Sequence, residues 1–531
     1  MENSIFKPGR YINKEWNSVH KDWSDSLLKV ALCFPDIYEI GMSHLGIRII
    51  YGLLNSRKDI LCERVFAPWV DMEQKMRAEG GMLLSLESRK PLKDFDIVGF
   101  SLQYEMSFVD VLNVLDLGQI PLCSADRGDE HPLVIAGGPC AFNPEPMADF
   151  IDAFVIGEGE EVVLEITDVI RDTGYGIRDT RDTVLKRLSM IKGVYVPRVP
   201  SPESRDPINK RIIKDLDAAY FPTNPIVPYL QIVHDRISLE IMRGCPHRCK
   251  FCQACKIFHP LRIRSVKRIL EIAEESIKST GYEEISLLSL SSGDYPYLEE
   301  LIGKLSERFK PQGVKISLPS LRVKSFDTGR AAGIVKRTGL TFAPEAGSDR
   351  LRELLNKDIE NKDIIERSAI ALKSGWKKVK LYFMIGLPGE REEDLDAIIE
   401  LASNIKRVSL SISPFIPKSH SEFEREGMED MEVLENKREY LRSKTKIRMD
   451  FHDLRMSRIE AILSRGDRKT GQAIKMVRQK GARLQAWTEH FNYDLWLQCF
   501  KECGIDPDDY LVKTAASESL PWDFISTLPS L

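Results

Sequence analysis

Short, nearly continuous apolar runs punctuate the first third of the chain: LKVALCF at 28–34, DIVGFSL at 96–102, PLVIAGG at 132–138 and AFVIGEG at 153–159. Runs of Val, Ile, Leu and Phe that end in Gly are the mark of parallel strands buried on both faces, so residues 27–195 predict an α/β unit with a doubly wound, Rossmann-like sheet. Ligands on such sheets lie beyond the carboxyl ends of the strands. Here those ends carry Asp36-Ile-Tyr-Glu-Ile-Gly41, Ser101-Leu-Gln-Tyr-Glu105, Gly137-Gly138-Pro139 and Gly157-Glu-Gly-Glu160. Residues 1–26 read as a leader, and the Pro- and charge-rich stretch 196–235 as a connector. A second alternating series follows, with strands expected at 237–242, 284–290, 314–318, 339–343, 378–385 and 408–413. The helical patterns between them, such as Val266-Lys-Arg-Ile269-Leu270-Glu-Ile272-Ala273, each present one apolar stripe. Six strand–helix repeats predict a partial (β/α)6 barrel over 236–424, with its chemistry at the C-terminal mouth. Beyond about residue 424 strand signals stop, and 425–531 reads as a helical region whose AWTEHFNYDLWLQCF segment forms a packed core.

A chain of 531 residues has room for about three or four folding units. Its net charge of -4 gives no global sign of a polyanionic partner. The first twenty residues lack the apolar core of a secretory signal, and no apolar run approaches the roughly 20 residues that span a bilayer. A cytoplasmic location is the expectation. Thiols stay reduced there, so the ten cysteines read as ligands, nucleophiles or core filling before disulfides.

Four of the ten lie together, in Cys245-Pro-His-Arg-Cys249-Lys-Phe-Cys252 and at Cys255, directly after a predicted strand. Thiolates at these spacings suit an iron–sulfur cluster or zinc. Three ligands on a four-iron cluster leave one iron open to a substrate. A fourth thiolate from Cys255 would close the site into structural zinc or a plain electron carrier, and Cys255 as a free neighbouring thiol is the other option.

A CxxxCxxC motif with an aromatic residue before its last cysteine resembles the signature of the radical S-adenosylmethionine (SAM) superfamily. The resemblance implies a 4Fe-4S cluster on Cys245, Cys249 and Cys252, with SAM at the open iron. Ser292-Gly293-Asp294 stands where the superfamily usually has Gly-Gly-Glu, which meets the methionine amino group; Asp294 can supply the carboxylate. Ile385, Gly386 and Pro388, in Tyr382-Phe-Met-Ile385-Gly386-Leu387-Pro388-Gly-Glu390, look like the adenine-contacting stretch. Glu345, in Ala343-Pro344-Glu345-Ala346-Gly347, corresponds to a ribose contact, with a helix-capping carboxylate as the plainer alternative.

The similarity extends over nearly the whole chain, through YEIGMSHLGI, ERVFAPW, GFSLQYE, GGPCAFNPEP and FVIGEGEE, then PSLR and LTFAPEAG, then WTEHFNYDLW and LPWDFI. It implies a cobalamin-binding-type domain ahead of the barrel. The Asp-x-His-x-x-Gly motif that supplies a protein ligand to cobalt is absent, and His44 in Met42-Ser-His-Leu-Gly46 has the wrong spacing, so it reads as a loop residue. The function implied is reductive cleavage of SAM that starts radical chemistry on an unknown substrate, with cobalamin-dependent methylation if a corrinoid binds. The alternative class is a non-catalytic electron-transfer or redox-sensing protein with a closed four-cysteine site. An external electron donor is the expected partner of the first.

Charge is local. Residues 241–270 hold eight Lys or Arg and no acid, in keeping with the negative charge of thiolates and a methionine carboxylate. Residues 437–483 hold fifteen Lys or Arg against five Asp or Glu, which makes RNA or another polyanion a candidate partner and a solvated helix surface its alternative. Cys499 and Cys503 read as core filling. His490 reads as substrate-facing only if it lies under the barrel mouth.

Overall fold

The computed structural model describes residues 5–23, 27–173, 180–199, 207–317 and 339–528. Six strands form the first sheet: β1 (Leu28–Phe34), β2 (Ile60–Phe66), β3 (Ile97–Ser101), β4 (Leu133–Gly137), β5 (Ala153–Val155) and β6 (Val194–Tyr195). Their spatial order is β2-β1-β3-β4-β5-β6, parallel except for the last pair. The order reverses between β1 and β3, so the ligand crevice of this doubly wound sheet opens beyond Phe34 and Ser101. Sequence reading did not assign β2, because ILCERVF carries two charges in its middle. Both are buried and matched: Arg64 pairs with Glu15 and, at 2.7 Å, with Glu87, while Glu63 accepts from Ser88 at 2.7 Å.

Next comes an open barrel in two parallel sheets. One holds Ile237–Glu240, Glu284–Leu288 and Lys315–Ser317; the other holds Leu340–Glu345, Val379–Ile385, Val408–Pro414 and Met449–Phe451. The Pro319-Ser-Leu-Arg322 segment lies outside the described residues. Contrary to the expectation that strands end near residue 424, Met449–Phe451 adds a seventh parallel strand beside Val408–Pro414. Ile525–Ser526 also pairs in parallel, with Ile208–Asn209 of the connector. These are two or three residues long and rich in polar groups, too short for a periodic signal.

Around the barrel, helices run from Met431 to Lys444, Leu454 to Arg465, Arg468 to Gln479 and Tyr493 to Glu502. One buried cluster passes from Ala31 and Cys33 of the first sheet through Phe342 and Leu410 of the barrel to Trp496, Cys499 and Phe500. Cys499 is therefore core filling, as its sequence context suggests. The C-terminal region also grips the first sheet directly: Trp487 donates to Asp36 at 2.9 Å, and the Leu484 amide to buried Asp110 at 2.7 Å. His490 lies against Trp69 of this junction, 5.0 Å between ring centres. No helix among the described residues is long and apolar enough to cross a membrane.

Candidate functional site

The cysteine loop leaves the first barrel strand and returns as a hairpin, because Met242–Arg243 pairs antiparallel with Arg262–Ile263. Gly244 has φ 90°, and a Cβ there would stand 2.7 Å from the Phe258 carbonyl oxygen, so the two ends of the loop can approach this closely only without a side chain. Backbone bonds pin the loop from outside, the Lys250 amide to Leu355 at 3.0 Å and the Phe423 amide to Lys250 at 3.2 Å. Lys210 donates to the carbonyls of Lys256 at 2.6 Å and Ile257 at 3.1 Å, and burial pulls its ammonium down to about 8.

Arg243 ties this loop to the first sheet. Its guanidinium meets Glu160 at 2.7 Å and Glu158 at 3.2 Å, both just beyond β5, and Glu240 at 2.8 Å. Arg262 reaches the same Glu158 at 2.7 Å. Arg243 and Arg262, two of the eight basic residues in 241–270, thus fix the two units together. A second tie joins three regions: Lys418, after the sixth barrel strand, meets Glu105 and Glu460 at 2.9 Å each, and Tyr104 donates to Glu460 at 2.8 Å. Burial opposes the Lys418 charge, but the two carboxylates hold it above the ordinary lysine value.

Cys245, Cys249 and Cys252 are half-buried on this loop and form no disulfide, with the Cys252 amide donating to Cys249 at 3.0 Å. Cys255 is buried on the short helix Ala254–Ile257, its thiol 2.9 Å from the Cys252 carbonyl oxygen. Hydrogen bonding from Cys255 holds the Cys252 thiol down at about 6, and the same contact pushes Cys255 up. No three His, Cys, Asp or Glu side chains among the described residues gather around a single point as one ion requires. A four-iron cluster takes each thiolate on a different iron and does not ask for that convergence.

At the end of the second barrel strand, Ser292, Gly293 and Asp294 form a single 3-10 turn. Asp294 accepts from Ser291 at 2.5 Å and lies 2.8 Å from His247 Nε2, so the turn meets the cysteine loop between Cys245 and Cys249. His247 was missed in the sequence, although its position inside the motif was the available signal. Glu345 ends the fourth strand at φ 69° and accepts from Lys357 at 3.1 Å. The capping alternative does not hold here, since Ser348 caps the next helix by accepting from the Leu351 amide. A left-handed non-glycine residue costs roughly 1–2 kcal/mol, which makes the Glu345 backbone a site of local strain. Ile385 closes the fifth strand, and Gly386 follows at φ 76°, its amide donating to buried Glu390 at 3.0 Å, with Pro388 next in the turn.

Between the two units lies a cavity of about 510 Å³. The carboxyl edge of the first sheet forms its floor, including Gly99, Gly137 and Gly157, and Met242, Leu288 and Leu290 of the barrel mouth form its roof. Gly99 meets nothing closer than 4.0 Å to an added Cβ, so the floor is open there, whereas a Cβ on Gly137 would meet Val155 and one on Gly157 the Arg211 backbone. His44 sits on the wall as the residue preceding helix Leu45–Ser56, and burial pulls its imidazole down to about 4.

Two family models match in sequence: "Radical SAM proteins, N-terminal" over residues 46–197 and "Radical SAM superfamily" over 239–402. The chain is a radical SAM enzyme. A relative in Methanocaldococcus jannaschii, an uncharacterized protein, is 29% identical over 487 residues, 90% of this radical SAM chain and 97% of its own. An uncharacterized methyltransferase of Pyrococcus horikoshii is 27% identical over 289 residues, 52% of this chain and 59% of its own. Among solved structures, the radical SAM methyltransferase TsrM from Kitasatospora setae, with cobalamin and a 4Fe-4S cluster bound, has a TM-score of 0.50 at 13% identity and covers 73% of this chain and 75% of its own. The cobalamin-dependent radical enzyme OxsB, with aqua-cobalamin and SAM bound, has a TM-score of 0.50 at 13% identity, covering 81% and 58%. At such identities the likeness is one of fold, and the radical SAM fold places both sheets' carboxyl ends around the cavity.

Proposed function

We propose that Cys245, Cys249 and Cys252 hold a 4Fe-4S cluster, that Asp294, Glu345 and the Ile385-Gly386-Leu387-Pro388 turn hold SAM beside it, and that the interdomain cavity holds a corrinoid. The observation that carries this reading is the junction itself: a cysteine loop, an acidic turn and a bare-floored cavity meet at the carboxyl ends of two parallel sheets. Soft thiolates suit iron, and the open floor at Gly99 suits a flat ring. When bound, the cluster supplies the electron for SAM cleavage and the corrinoid supplies a methyl carrier; an external donor reloads the cluster.

The protein's own part is position and exclusion of water. Asp294, oriented by His247 and Ser291, presents a carboxylate to an ammonium group, and charged hydrogen bonds of this kind contribute about 1.5–3 kcal/mol. Glu345, oriented by Lys357, accepts from hydroxyls. The Arg243 network fixes the separation of loop and cavity floor, so a transfer between them needs no domain movement. Cys255 stays a thiol bonded to a backbone carbonyl and leaves the cluster open. The test is anaerobic reconstitution with iron, sulfide and hydroxocobalamin. Formation of 5′-deoxyadenosine from SAM by the reduced protein is the expected result, and its absence with an intact cluster rules the reading out.

A further inference from the structure

The inner face of the barrel is polar. Val379, Leu381, Phe383 and Ile385 pack into the core, so the alternate residues Lys380, Tyr382 and Met384 face the lumen. On the next strand Leu410 and Ile412 are core, which leaves Ser409, Ser411 and Ser413 facing inward. In the three-stranded sheet Ile237, Leu239, Ile285 and Leu287 are core, which leaves Ser238 and Ser286 inward. Closed parallel barrels fill this space with layers of branched aliphatic side chains. Here the layers end in hydroxyls. Ser286 is 2% exposed and Ser411 5%, and neither hydroxyl has a hydrogen-bond partner among the described residues. Hydroxyls that open onto a lumen without protein partners are groups a polar ligand can bond.

One row adds charge. Thr341, Lys380 and Ser409 are register neighbours on three adjacent strands, which sets two hydroxyls beside one ammonium. Inward-facing acids are matched elsewhere, Glu240 by Arg243, Glu345 by Lys357 and Asp450 by Arg448. Lys380 has no carboxylate partner among the described residues and rests over the Tyr382 ring at 5.0 Å. The row lies five residues below the strand end at Ile385, or about 16 Å at the usual rise per residue.

We infer that Thr341, Lys380 and Ser409 form an oxyanion subsite, and that the substrate is a small, elongated polar molecule whose carboxylate or phosphate binds there while its reacting carbon lies at the mouth. The second half rests on the proposed function; the subsite does not. A lysine flanked by hydroxyl donors takes an oxyanion by charge-assisted hydrogen bonds, and the serines of the rows above it take the substrate's polar groups.

The full-length, reconstituted protein is acetylated with limiting acetic anhydride, with or without inorganic phosphate or succinate, and each lysine is followed by mass spectrometry. Either anion is expected to slow labelling of Lys380 severalfold while exposed Lys93 reacts unchanged, and protection by one anion alone names the substrate's group. Thr341→Val is expected to raise the anion concentration for half protection about tenfold, the worth of one charged hydrogen bond. Unprotected Lys380, or equal slowing at Lys93, overturns the subsite. The same samples are assayed for 5′-deoxyadenosine: its formation with Lys380 unprotected sinks the subsite and leaves the proposed function standing, and the converse result does the reverse.

Discussion

The two parallel sheet systems differ in what they hide. In the first sheet, β1 and β2 are buried at all seven positions each, and β4 at all but its final Gly137. In the barrel, burial alternates: Val379, Leu381, Phe383 and Ile385 are buried while Tyr382 is 38% exposed. A sheet covered on both faces can offer a ligand only its carboxyl edge, and there Gly99 leaves the floor open. A sheet covered on one face offers an entire inner wall. The first system is thus suited to a flat group held at its rim, and the second to a molecule held along its depth.

The largest expected effect removes what joins the two. Changing Cys245, Cys249 and Cys252 together to Ala should abolish bound iron and sulfide and all 5′-deoxyadenosine formation, because the irons lose their soft ligands. Cys255→Ala should keep a four-iron cluster with an open position, measured by iron content and by the change that SAM makes in the spectrum of the reduced cluster. A Cys255→Ala protein without its cluster would mean a closed site. Smaller, and confined to the barrel side, is Asp294→Ala: SAM binding should weaken about ten- to a hundred-fold while iron content holds. Unchanged affinity would remove the Ser292-Gly293-Asp294 turn from the site.

A third change tests the first sheet's rim. Gly99→Leu has space for its Cβ, with only the Ala31 carbonyl oxygen at 4.0 Å, so the added side chain fills the cavity and leaves the sheet intact. Retention of hydroxocobalamin through gel filtration should fall at least about tenfold, with the thermal midpoint within a few degrees of the parent. Full retention would place the corrinoid elsewhere. The equivalent change in the barrel wall, Ser411→Val, should leave retention untouched.

Much of this contrast was legible. Continuous apolar runs gave β1, β3, β4 and β5 within a residue or two at each end, except that β5 stops at Val155, and the spacing of Cys245, Cys249 and Cys252 marked the loop. The alternation in Lys380-Leu-Tyr-Phe-Met-Ile385 and Ser409-Leu-Ser-Ile-Ser413 was also present, and it distinguishes a one-faced strand from a two-faced one. It went unused because both series were read simply as parallel strands. What was not legible depends on contacts between distant segments. β2 hides its charges against Glu15 and Glu87, and His247 meets Asp294 across 47 positions. The basic stretch 437–483 illustrates the same limit: Arg468 pairs with Glu145, Arg478 with Asp116 and Arg483 with Glu73. A charge count along the chain cannot see partners that folding brings from the first domain.

His44 supplies the finest test, because it stands on the cavity wall at the rim of the first sheet. Its ring packs on Phe34 with 5.6 Å between centres, and its Nδ1 is buried without a hydrogen-bond partner. An added Cβ on Gly46, another residue of the cavity wall, would stand 3.2 Å from that nitrogen. His44 belongs to no Asp-x-His-x-x-Gly motif, so the expectation is a wall residue and not a ligand to cobalt. His44→Ala should leave the absorption spectrum of bound cobalamin nearly unchanged; a shifted spectrum would make His44 a ligand to cobalt. Stability gives a second reading with a definite sign. Burial lowers the imidazole from 6.5 to about 4, so between those values the unfolded chain binds more protons than the folded one. Folding stability must then rise as pH rises through that window and fall as the solution is acidified. The parent should lose on the order of 1–3 kcal/mol through this group between pH 6.5 and 4, and His44→Ala should lose less over the same range. Denaturant midpoints at the two pH values read the difference, and identical acid sensitivity in both proteins would show that His44 is open to solvent and free to follow a bound corrinoid.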